Sequence, residues 1–477
     1  MSPAIMEQSP SLAAALETPQ DLYRILLLRQ NGSEVLVAGT RPPFTLPCVE
    51  VPRWERAAEN MNAIVRKRYG ICPVCLFSPD LPAPATDSEP TLYQVMGTRK
   101  TNLAAPQGTH WLPVDAFSDR SLADADFRAL TNTLRQMHEF ENETTTGPFG
   151  KPCWIEELFS WAQHEVDAYG LRLNGEFRQL NASPTFALLR LENNGPAVWF
   201  KAVGEPNLRE FPISVTLSRL FPRFVPTVIA THPAWNGWLT TEFAGSTLDE
   251  VPDVCTWERA AGTLGELQIA SVGKTSQLLA AGCRDLRVSS LLSMVDPFME
   301  LMSCLMQQQQ KTPPPALDQE ELLRLASQIK ETLSELAGLG IPDTLGHLDF
   351  NPGNILCSAD QCVFLDWAEA YVGPAILTFE YLRAHLVRLR RNEGGLNPDL
   401  THAYQEKWRA ILSLKAVAAL QRLGPVLAVF AYAAGTDGWR NPAFLREPAR
   451  VACLRSLTRR MRAEMQRSHE RGEVCCK

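Results

Sequence analysis

The most informative stretch of this sequence is Gly346-His347-Leu348-Asp349-Phe350-Asn351-Pro352-Gly353-Asn354-Ile355-Leu356, which runs on to Val363-Phe364-Leu365-Asp366-Trp367. Its pattern predicts a loop rich in polar side chains, a short strand, a tight turn and a second strand that ends on an acidic residue. The Pro352-Gly353 pair is expected to bend the loop so that Asp349 and Asn354 face one cavity. The stretch therefore predicts a site built from His347, Asp349, Asn354 and Asp366.

The spacing of His347, Asp349 and Asn354 resembles the H-R-D-x-x-x-x-N catalytic loop of protein kinases, with Leu348 in place of the arginine. The resemblance implies phosphoryl transfer, which depends mostly on positioning and on charge neutralisation. It implies that Asp349 orients the attacking hydroxyl and accepts its proton, while Asn354 and Asp366 hold Mg²⁺. His347 is placed with Asp349 in the catalytic loop, as a brace rather than a reactant. A chance pattern in an ordinary turn is the alternative, and the two strands and the downstream Asp366 count against it.

Composition limits the classes of protein that this chain can represent. With 477 residues, of which 45% are hydrophobic, the length predicts two or three domains. The net charge of -7 and the lack of a dominating basic run give no support to a nucleic-acid partner. The basic residues of Arg455–Arg467 are spaced like the solvated face of a terminal helix.

The cysteines and the apolar segments indicate in which cellular compartment the protein is expected. A single C-x2-C, Cys72-Pro73-Val74-Cys75, is weak evidence for zinc, and buried free thiols in a reducing cytoplasm are favoured. Met1–Gln20 lacks the features of a secretory signal. Ala416–Ala434 is apolar but is interrupted by Gln421, Arg422 and Gly424-Pro425, which favours a buried helix pair over a membrane span. We expect a soluble, cytoplasmic protein without a membrane partner.

The first third of the chain alternates strand-like and helix-like segments. The predicted strands and helices are Tyr23–Leu28, Ser33–Ala38, the helix Trp54–Tyr69 ended by Gly70, Leu92–Gly97, His110–Val114 and the helix Asp124–Phe140. This order resembles a Nudix domain, a fold that hydrolyses nucleoside diphosphates linked to another group.

The metal ligands of a Nudix box are missing from this segment. Lys67 and Arg68 stand where the box has its pair of glutamates, Ala63 and Ile64 replace its Arg-Glu, and only Glu55 falls on an acidic position. Because cationic side chains do not coordinate Mg²⁺, we expect a non-catalytic domain with a structural role, or one that docks a partner or a second copy of the chain. Nudix-type hydrolysis is the alternative.

A lysine within a predicted hairpin marks a second candidate site. Glu139–Pro152 is the expected linker; Thr185–Leu191 and Ala197–Val203 then predict an antiparallel hairpin with Lys201 in its second strand. Lys201 resembles the V-A-I-K lysine of kinases, which reaches the nucleotide phosphates and pairs with a glutamate; Glu210 is the natural partner. The alternative is that strand alternation directs Lys201 to solvent.

Two further segments are candidates for nucleotide contacts. Ser183 and Thr185 precede the hairpin where kinases carry a glycine-rich loop, and they could contact phosphate although no glycine is present. Thr241–Ala244, with Glu242 and Phe243, is the expected hinge that offers backbone groups to the adenine.

From about Trp154 to its end the chain resembles the aminoglycoside phosphotransferase and choline kinase-like family, on Lys201, Glu210, the His347–Asn354 loop and Asp366-Trp367. The resemblance implies an α+β, two-lobed protein-kinase-like fold with a small antiparallel-sheet lobe and a large helical lobe, preceded by the α/β Nudix-like domain. It also implies ATP or GTP with Mg²⁺ and a small-molecule acceptor with a hydroxyl group. The expected divisions are a flexible terminus (1–20), the Nudix-like domain (21–145), the nucleotide-binding lobe (153–245) and the helical lobe (246–477).

The sequence departs from kinase patterns in ways that narrow the prediction. No D-F-G glycine follows Asp366 and no A-P-E occurs, which argues against a protein kinase. The acidic residue that the family usually carries after the glycine downstream of the loop is replaced by Glu380, in Thr378-Phe379-Glu380-Tyr381. Helices are predicted at Leu264–Leu278, Leu291–Met306, after the Asp318/Glu321 capping box, and at Ile376–Arg391, Pro398–Leu414 and Lys415–Ala434. Glu369, Tyr381, His385 and Trp408 lie where an acceptor could bind, although structural roles are favoured. A nucleotide-binding regulator or scaffold with little turnover is the second candidate function.

Overall fold

The computed structural model describes residues 19–29, 32–53, 55–81, 91–99, 103–117, 121–142, 147–393 and 399–475. Helices and strands both recur along the chain, so the predicted α+β class is confirmed. The chain forms two compact units. The first holds the residues up to Glu205 together with Ile229–Leu239, and the second holds Pro206–Val228 together with the residues from Thr240 onward. The expected terminus (1–20) lies almost wholly outside the described residues, and the other expected boundaries stay predictions.

The first unit begins with a mixed six-stranded sheet. Its elements are β1 (Gln20–Arg29), β2 (Glu34–Ala38), β3 (Cys48–Pro52), α1 (Ala57–Tyr69), β4 (Pro73–Phe77), β5 (Leu92–Thr98), β6 (Thr109–Pro113) and α2 (Asp124–Asn142). β1 pairs antiparallel with β2 and β3 and parallel with β5.

The predicted strands and helices of this sheet are confirmed, with two strands added. β3 and β4 were not expected; β4 is buried at every position, so it shows no alternation of apolar and polar residues. α1 begins at Ala57 rather than at Trp54, which lies outside the described residues, and it ends on Gly70 with φ of 67° as predicted. The assignment of this region to the Nudix fold stays a prediction.

A second sheet completes the first unit. It has the order β10-β11-β9-β8-β7. Helix and strands are α3 (Trp154–Asp167), β7 (Leu173–Ser183), β8 (Phe186–Asn193), β9 (Val198–Ala202), β10 (Val228–His232) and β11 (Gly237–Thr241). The predicted hairpin with Lys201 is confirmed as β8 and β9.

The expected linker differs from what the structure shows. Its first residues continue α2 to Asn142, and residues 143–146 lie outside the described part of the chain. Phe149 is only 1% exposed, and its ring packs edge-on against Trp154 at 5.1 Å. The apolar side chain of Phe149 within this mostly polar segment was therefore the overlooked signal of core packing.

Polar contacts join the two sheets of the first unit. The buried Gln179 of β7 accepts a hydrogen bond from the Cys75 N–H at 2.8 Å and donates one to the Cys75 carbonyl at 2.8 Å. Asn62 of α1 donates to the same side-chain oxygen at 3.0 Å, and Arg66 pairs with Glu176 at 2.7 Å. The helix that would carry a Nudix box thus docks against β7.

The second unit is largely helical. Its helices are α4 (Glu210–Leu220), α5 (Val254–Ser271), α6 (Thr275–Ala280), α7 (Val288–Gln307), α8 (Gln319–Gly338), α9 (Ile376–Glu393), α10 (Leu400–Trp408), α11 (Leu414–Ala434), α12 (Pro442–Leu445) and α13 (Pro448–Cys475). Its strands are β12 (Ser246–Thr247), β13 (Arg284–Asp285), β14 (Asp343–His347), β15 (Ile355–Cys357), β16 (Cys362–Phe364) and β17 (Ala370–Pro374), which form two three-stranded sheets.

Three helix predictions have different outcomes. The capping box is confirmed, since the Asp318 carboxylate accepts from the Glu321 N–H and the Glu321 carboxylate accepts from the Asp318 N–H. The predicted helix Leu264–Leu278 is wrong in its continuity, because Gly273 adopts φ of 77° and separates α5 from α6. The predicted helix pair at Ala416–Ala434 is a single helix, α11, that accommodates Pro425.

Helices α7 and α11 are long and apolar enough to cross a membrane by length and composition alone. Because α11 is mostly buried inside the protein, it has the character of a core helix, and core helices of soluble proteins pass the same test.

The basic residues of α13 are not a purely solvated face, so that prediction is wrong in part. Arg455 donates to the Leu305 carbonyl at 2.8 Å, and Arg459 donates to the Pro315 carbonyl at 2.8 Å. Arg462 pairs with Glu321. These contacts fasten α13 to α7, α8 and the segment between them.

The ten cysteines whose placement the structure gives are free thiols, and four of them are buried. Cys72 is exposed, whereas Cys75 is buried in β4. Burial raises the pKa of the Cys75 thiol. The expectation of buried free thiols is thus correct for Cys75 and not for Cys72.

Candidate active site

Strand β14 delivers His347 to the site through a tightly packed core. A Cβ atom on Gly346 would overlap the ring of Tyr371, so only glycine allows this approach. The Tyr371 hydroxyl shares a 2.9 Å hydrogen bond with Thr378 Oγ1, which accepts from the His347 N–H at 2.8 Å. All three side chains are buried. The backbone at the start of the loop is therefore fixed before any polar group of the site is placed.

The imidazole of His347 braces the loop from inside. Its Nδ1 accepts a hydrogen bond from the Asp349 N–H at 3.0 Å, and its Nε2 lies 3.1 Å from the Leu365 carbonyl. Because Nδ1 accepts, the neutral tautomer with a proton on Nε2 satisfies both contacts. Burial lowers the pKa of His347, which agrees with a neutral ring. His347 thereby links the loop that carries Asp349 to the residue that precedes Asp366.

Replacing His347 with alanine is expected to lower the free energy of unfolding by about 2 kcal/mol or more, because the Asp349 N–H and the Leu365 carbonyl lose their partners in a buried place. Denaturant unfolding measures this change, with His402→Ala as a control because His402 is exposed on α10. Equal stability of the two variants would contradict the bracing role.

The Asp349 carboxylate is held by two neighbouring side chains. Tyr381 donates to Oδ1 from its hydroxyl at 3.1 Å, and Asn351 donates to Oδ1 from Nδ2 at 3.2 Å. Oδ2 accepts no hydrogen bond from the residues that the structure describes. One carboxylate oxygen is thus used for orientation and the other faces no protein donor, which suits an acceptor of a substrate proton. Sequence reasoning missed Asn351, although its position two residues after Asp349 was visible.

A main-chain hydrogen bond at the open end of the β15–β16 hairpin joins Asn354 to Leu365, the residue that precedes Asp366. The Leu365 N–H donates to the Asn354 carbonyl at 2.9 Å, and Asp366 follows directly with φ of 61°. Asn354 Nδ2 donates to the Asp349 carbonyl at 3.0 Å, so the amide oxygen is left without a hydrogen-bond donor among the described residues. An amide oxygen and a carboxylate form the kind of oxygen donor set that Mg²⁺ uses together with nucleotide phosphates.

Lys201 and Glu210 belong to different compact units, so their predicted ion pair stays a prediction. Lys201 is half-buried in β9, with Nζ 5.9 Å from the ring centroids of both Phe186 and Trp238. It lies on the less buried face of the strand, opposite Phe200. Glu210 is the first residue of α4 and is only 2% exposed.

The other predicted nucleotide contacts are divided between the two units. Ser183 ends β7 and accepts a hydrogen bond on Oγ from the Thr185 N–H at 3.3 Å, so the segment expected to be a phosphate loop is the end of a strand and a tight turn. Glu242 and Phe243 follow β11 in the second unit and are half-buried. Their roles toward a nucleotide stay predictions.

Four residues named for an acceptor have different surroundings. Tyr381 contacts Asp349 directly, and the His385 ring lies 4.9 Å from the Tyr381 ring between centroids, at a tilt of 48°. Burial lowers the pKa of His385 to about 4, so this imidazole is neutral near pH 7. Glu369 pairs with Arg284 at 2.9 Å, and Trp408 is buried in the core.

Comparison with known proteins supplies the family. Residues 257–414 match the model of the phosphotransferase enzyme family. This stretch belongs to that family. It contains the loop, Asn354 and Asp366 but not Lys201. The protein-kinase-like fold predicted for this part of the chain is confirmed, and the family supports phosphotransfer as its activity.

Solved structures similar to this chain are distant in sequence. The macrolide 2'-phosphotransferase of Brachybacterium faecium is 16% identical, with 63% of this chain and 97% of that chain covered and a TM-score of 0.40. The ethanolamine kinase of Plasmodium vivax is 13% identical, with 70% and 95% covered and a TM-score of 0.45. The choline kinase of Cryptosporidium parvum is 12% identical, with 67% and 96% covered and a TM-score of 0.45. No curated protein sequence matches this chain.

Proposed function

We propose that this protein transfers the γ-phosphate of a nucleoside triphosphate, ATP or GTP, to a hydroxyl group of a small molecule. The observation that supports the proposal best is the constrained Asp349 carboxylate. Tyr381 and Asn351 fix one of its oxygens, and His347 fixes its backbone, inside a domain of the phosphotransferase enzyme family. A carboxylate held in this way can orient a hydroxyl and accept its proton during transfer.

The remaining residues are assigned to the phosphoryl donor. Asn354 Oδ1 and the Asp366 carboxylate hold Mg²⁺, which when bound neutralises the charge of the phosphates. Lys201, oriented by Glu210, contacts the α- and β-phosphates, and Ser183 and Thr185 contact phosphate from the turn. The backbone at Glu242 and Phe243 binds the adenine edge.

The N-terminal region is assigned a structural role in a cytoplasmic enzyme. Polar side chains of α1 contact β7: Asn62 donates a hydrogen bond to Gln179, and Arg66 forms an ion pair with Glu176. Side chains engaged in this way support the second sheet rather than a hydrolytic metal site.

Nucleoside diphosphate release tests the proposal. The enzyme is mixed with Mg²⁺ and ATP or GTP, and turnover is followed over a panel of amino sugars, sugars, sugar acids and choline-like alcohols. We expect acceptor-dependent release that is lost when Asp349 is replaced by asparagine. If no acceptor stimulates release while the nucleotide binds tightly, the chain is a nucleotide-binding regulator and the proposed activity is wrong.

A further inference from the structure

The second unit has a cavity of about 650 Å³ next to the candidate base. It lies between α9, α11 and α13, and Tyr381 on its wall donates a hydrogen bond to Asp349. The Tyr432 ring lies 5.4 Å from the Tyr381 ring between centroids, at a tilt of 40°. The cavity is therefore connected to Asp349 through the hydroxyl of Tyr381.

Four arginines and two glutamates line this cavity. Glu380 pairs with Arg383 at 2.5 Å and Glu464 pairs with Arg467 at 2.6 Å, so each glutamate is neutralised by its neighbour on the same helix. The other two arginines, Arg388 and Arg460, form no ion pair with an acidic residue in the part of the chain that the structure describes. The wall therefore carries an excess of positive charge.

The charges of Arg388 and Asp349 both affect the pKa values of His385 and Tyr432. The pKa of His385 is lowered mainly by burial and further by the Arg388 charge, while Asp349 opposes that change. The pKa of Tyr432 is raised mainly by burial; Asp349 adds to that rise and Arg388 opposes it. The cavity thus has Arg388 and Arg460 on its lining, and Tyr381 on its wall is hydrogen-bonded to the Asp349 carboxylate.

We propose that the acceptor is an anionic hydroxy compound, with its hydroxyl at Asp349 and its oxyanion on Arg388 and Arg460. The inference rests on the proposed function and names its substrate class. Guanidinium groups bind carboxylates and phosphates through charge-assisted, bidentate hydrogen bonds. Val387, Ala428 and Val429 supply apolar wall for the body of the molecule. A cationic acceptor would meet uncompensated positive charge here, which disfavours it.

Calorimetric binding of a matched set of ligands tests the proposal separately from turnover. Glucose, gluconate, glucose 6-phosphate and glucosamine share most of their hydroxyls and differ in charge. We expect gluconate or glucose 6-phosphate to bind wild type at least roughly tenfold more tightly than glucose, and glucosamine to bind no more tightly than glucose. The stronger of the two anions identifies the oxyanion as carboxylate or phosphate.

Charge variants then locate the interaction. Arg388→Gln and Arg460→Gln should each lose the preference for the anion, and the double variant Arg388→Glu/Arg460→Glu should prefer glucosamine. Arg450→Gln is the matched control, because Arg450 is exposed on α13 and lies outside the cavity. Both target arginines are exposed, so thermal unfolding is expected to stay unchanged.

The outcomes distinguish the inference from the function on which it rests. Selective anion binding that needs Arg388 and Arg460 but gives no nucleoside diphosphate release supports the site and refutes the transfer reaction. Acceptor-dependent release that is as fast with glucose or glucosamine as with the anions, and unchanged by the charge variants, overturns the inference and leaves the transfer reaction intact. Failure of both anions to bind more tightly than glucose also overturns it.

Discussion

Replacing Asp349 with asparagine is expected to lower kcat by roughly 10²- to 10⁴-fold, the usual contribution of a positioned general base. Asparagine has nearly the same shape, and its amide oxygen can still accept from Tyr381 and Asn351, which both bind Oδ1. The substitution therefore removes the proton acceptor at Oδ2 and leaves the loop in place. Mg²⁺–nucleotide binding should persist, because Asn354 and Asp366 are unchanged.

Two measurements separate this loss from general damage. Nucleotide affinity, by calorimetry, should match that of wild type within a few-fold, whereas single-turnover transfer should be nearly abolished. Asp360→Asn is the control, since Asp360 is an exposed carboxylate in the turn of the β15–β16 hairpin. Transfer at the wild-type rate by the Asp349 variant would remove Asp349 from the mechanism.

The residues of the loop could be predicted because their spacing along the chain fixes their geometry. His347 ends β14, Asp349 and Asn354 follow within the next seven residues, and Leu365 pairs with Asn354 across a short hairpin. Local hydrogen bonds therefore define much of their arrangement, and Thr378 and Tyr381 of α9 add contacts to it from a distant segment. Local hydrogen bonds also define the Asp318–Glu321 capping box, whose two bonds span three residues.

The contacts that were not predicted depend on distant segments. Arg388 and Arg460 come from α9 and α13, and only the packing of those helices around α11 makes them neighbours of one cavity. The basic face of α13 looked solvated in sequence because the partner groups of Arg455 and Arg459 are main-chain carbonyls. A carbonyl acceptor leaves no trace in residue type, so no pattern could have identified those contacts.

Asp366 is expected to respond differently to three substitutions, because they separate the effect of its backbone conformation from that of its carboxylate, which we propose binds Mg²⁺. Its φ of 61° is a left-handed conformation, which glycine and asparagine tolerate and alanine does not. Asp366→Ala should therefore lose about 1 kcal/mol of unfolding free energy relative to Asp366→Asn or Asp366→Gly. Denaturant unfolding without nucleotide measures this difference.

Activity should not follow that stability order. All three variants lack the carboxylate, so all three should lose roughly 100-fold or more in kcat and need higher Mg²⁺, since metal-based charge stabilisation is worth several kcal/mol. The Mg²⁺ dependence of turnover checks this expectation. If the Asn and Gly variants kept the wild-type Mg²⁺ requirement while only the Ala variant was impaired, Asp366 would matter for its backbone conformation and would not be a metal ligand. A uniform loss across variants of unequal stability is explained only by the missing carboxylate.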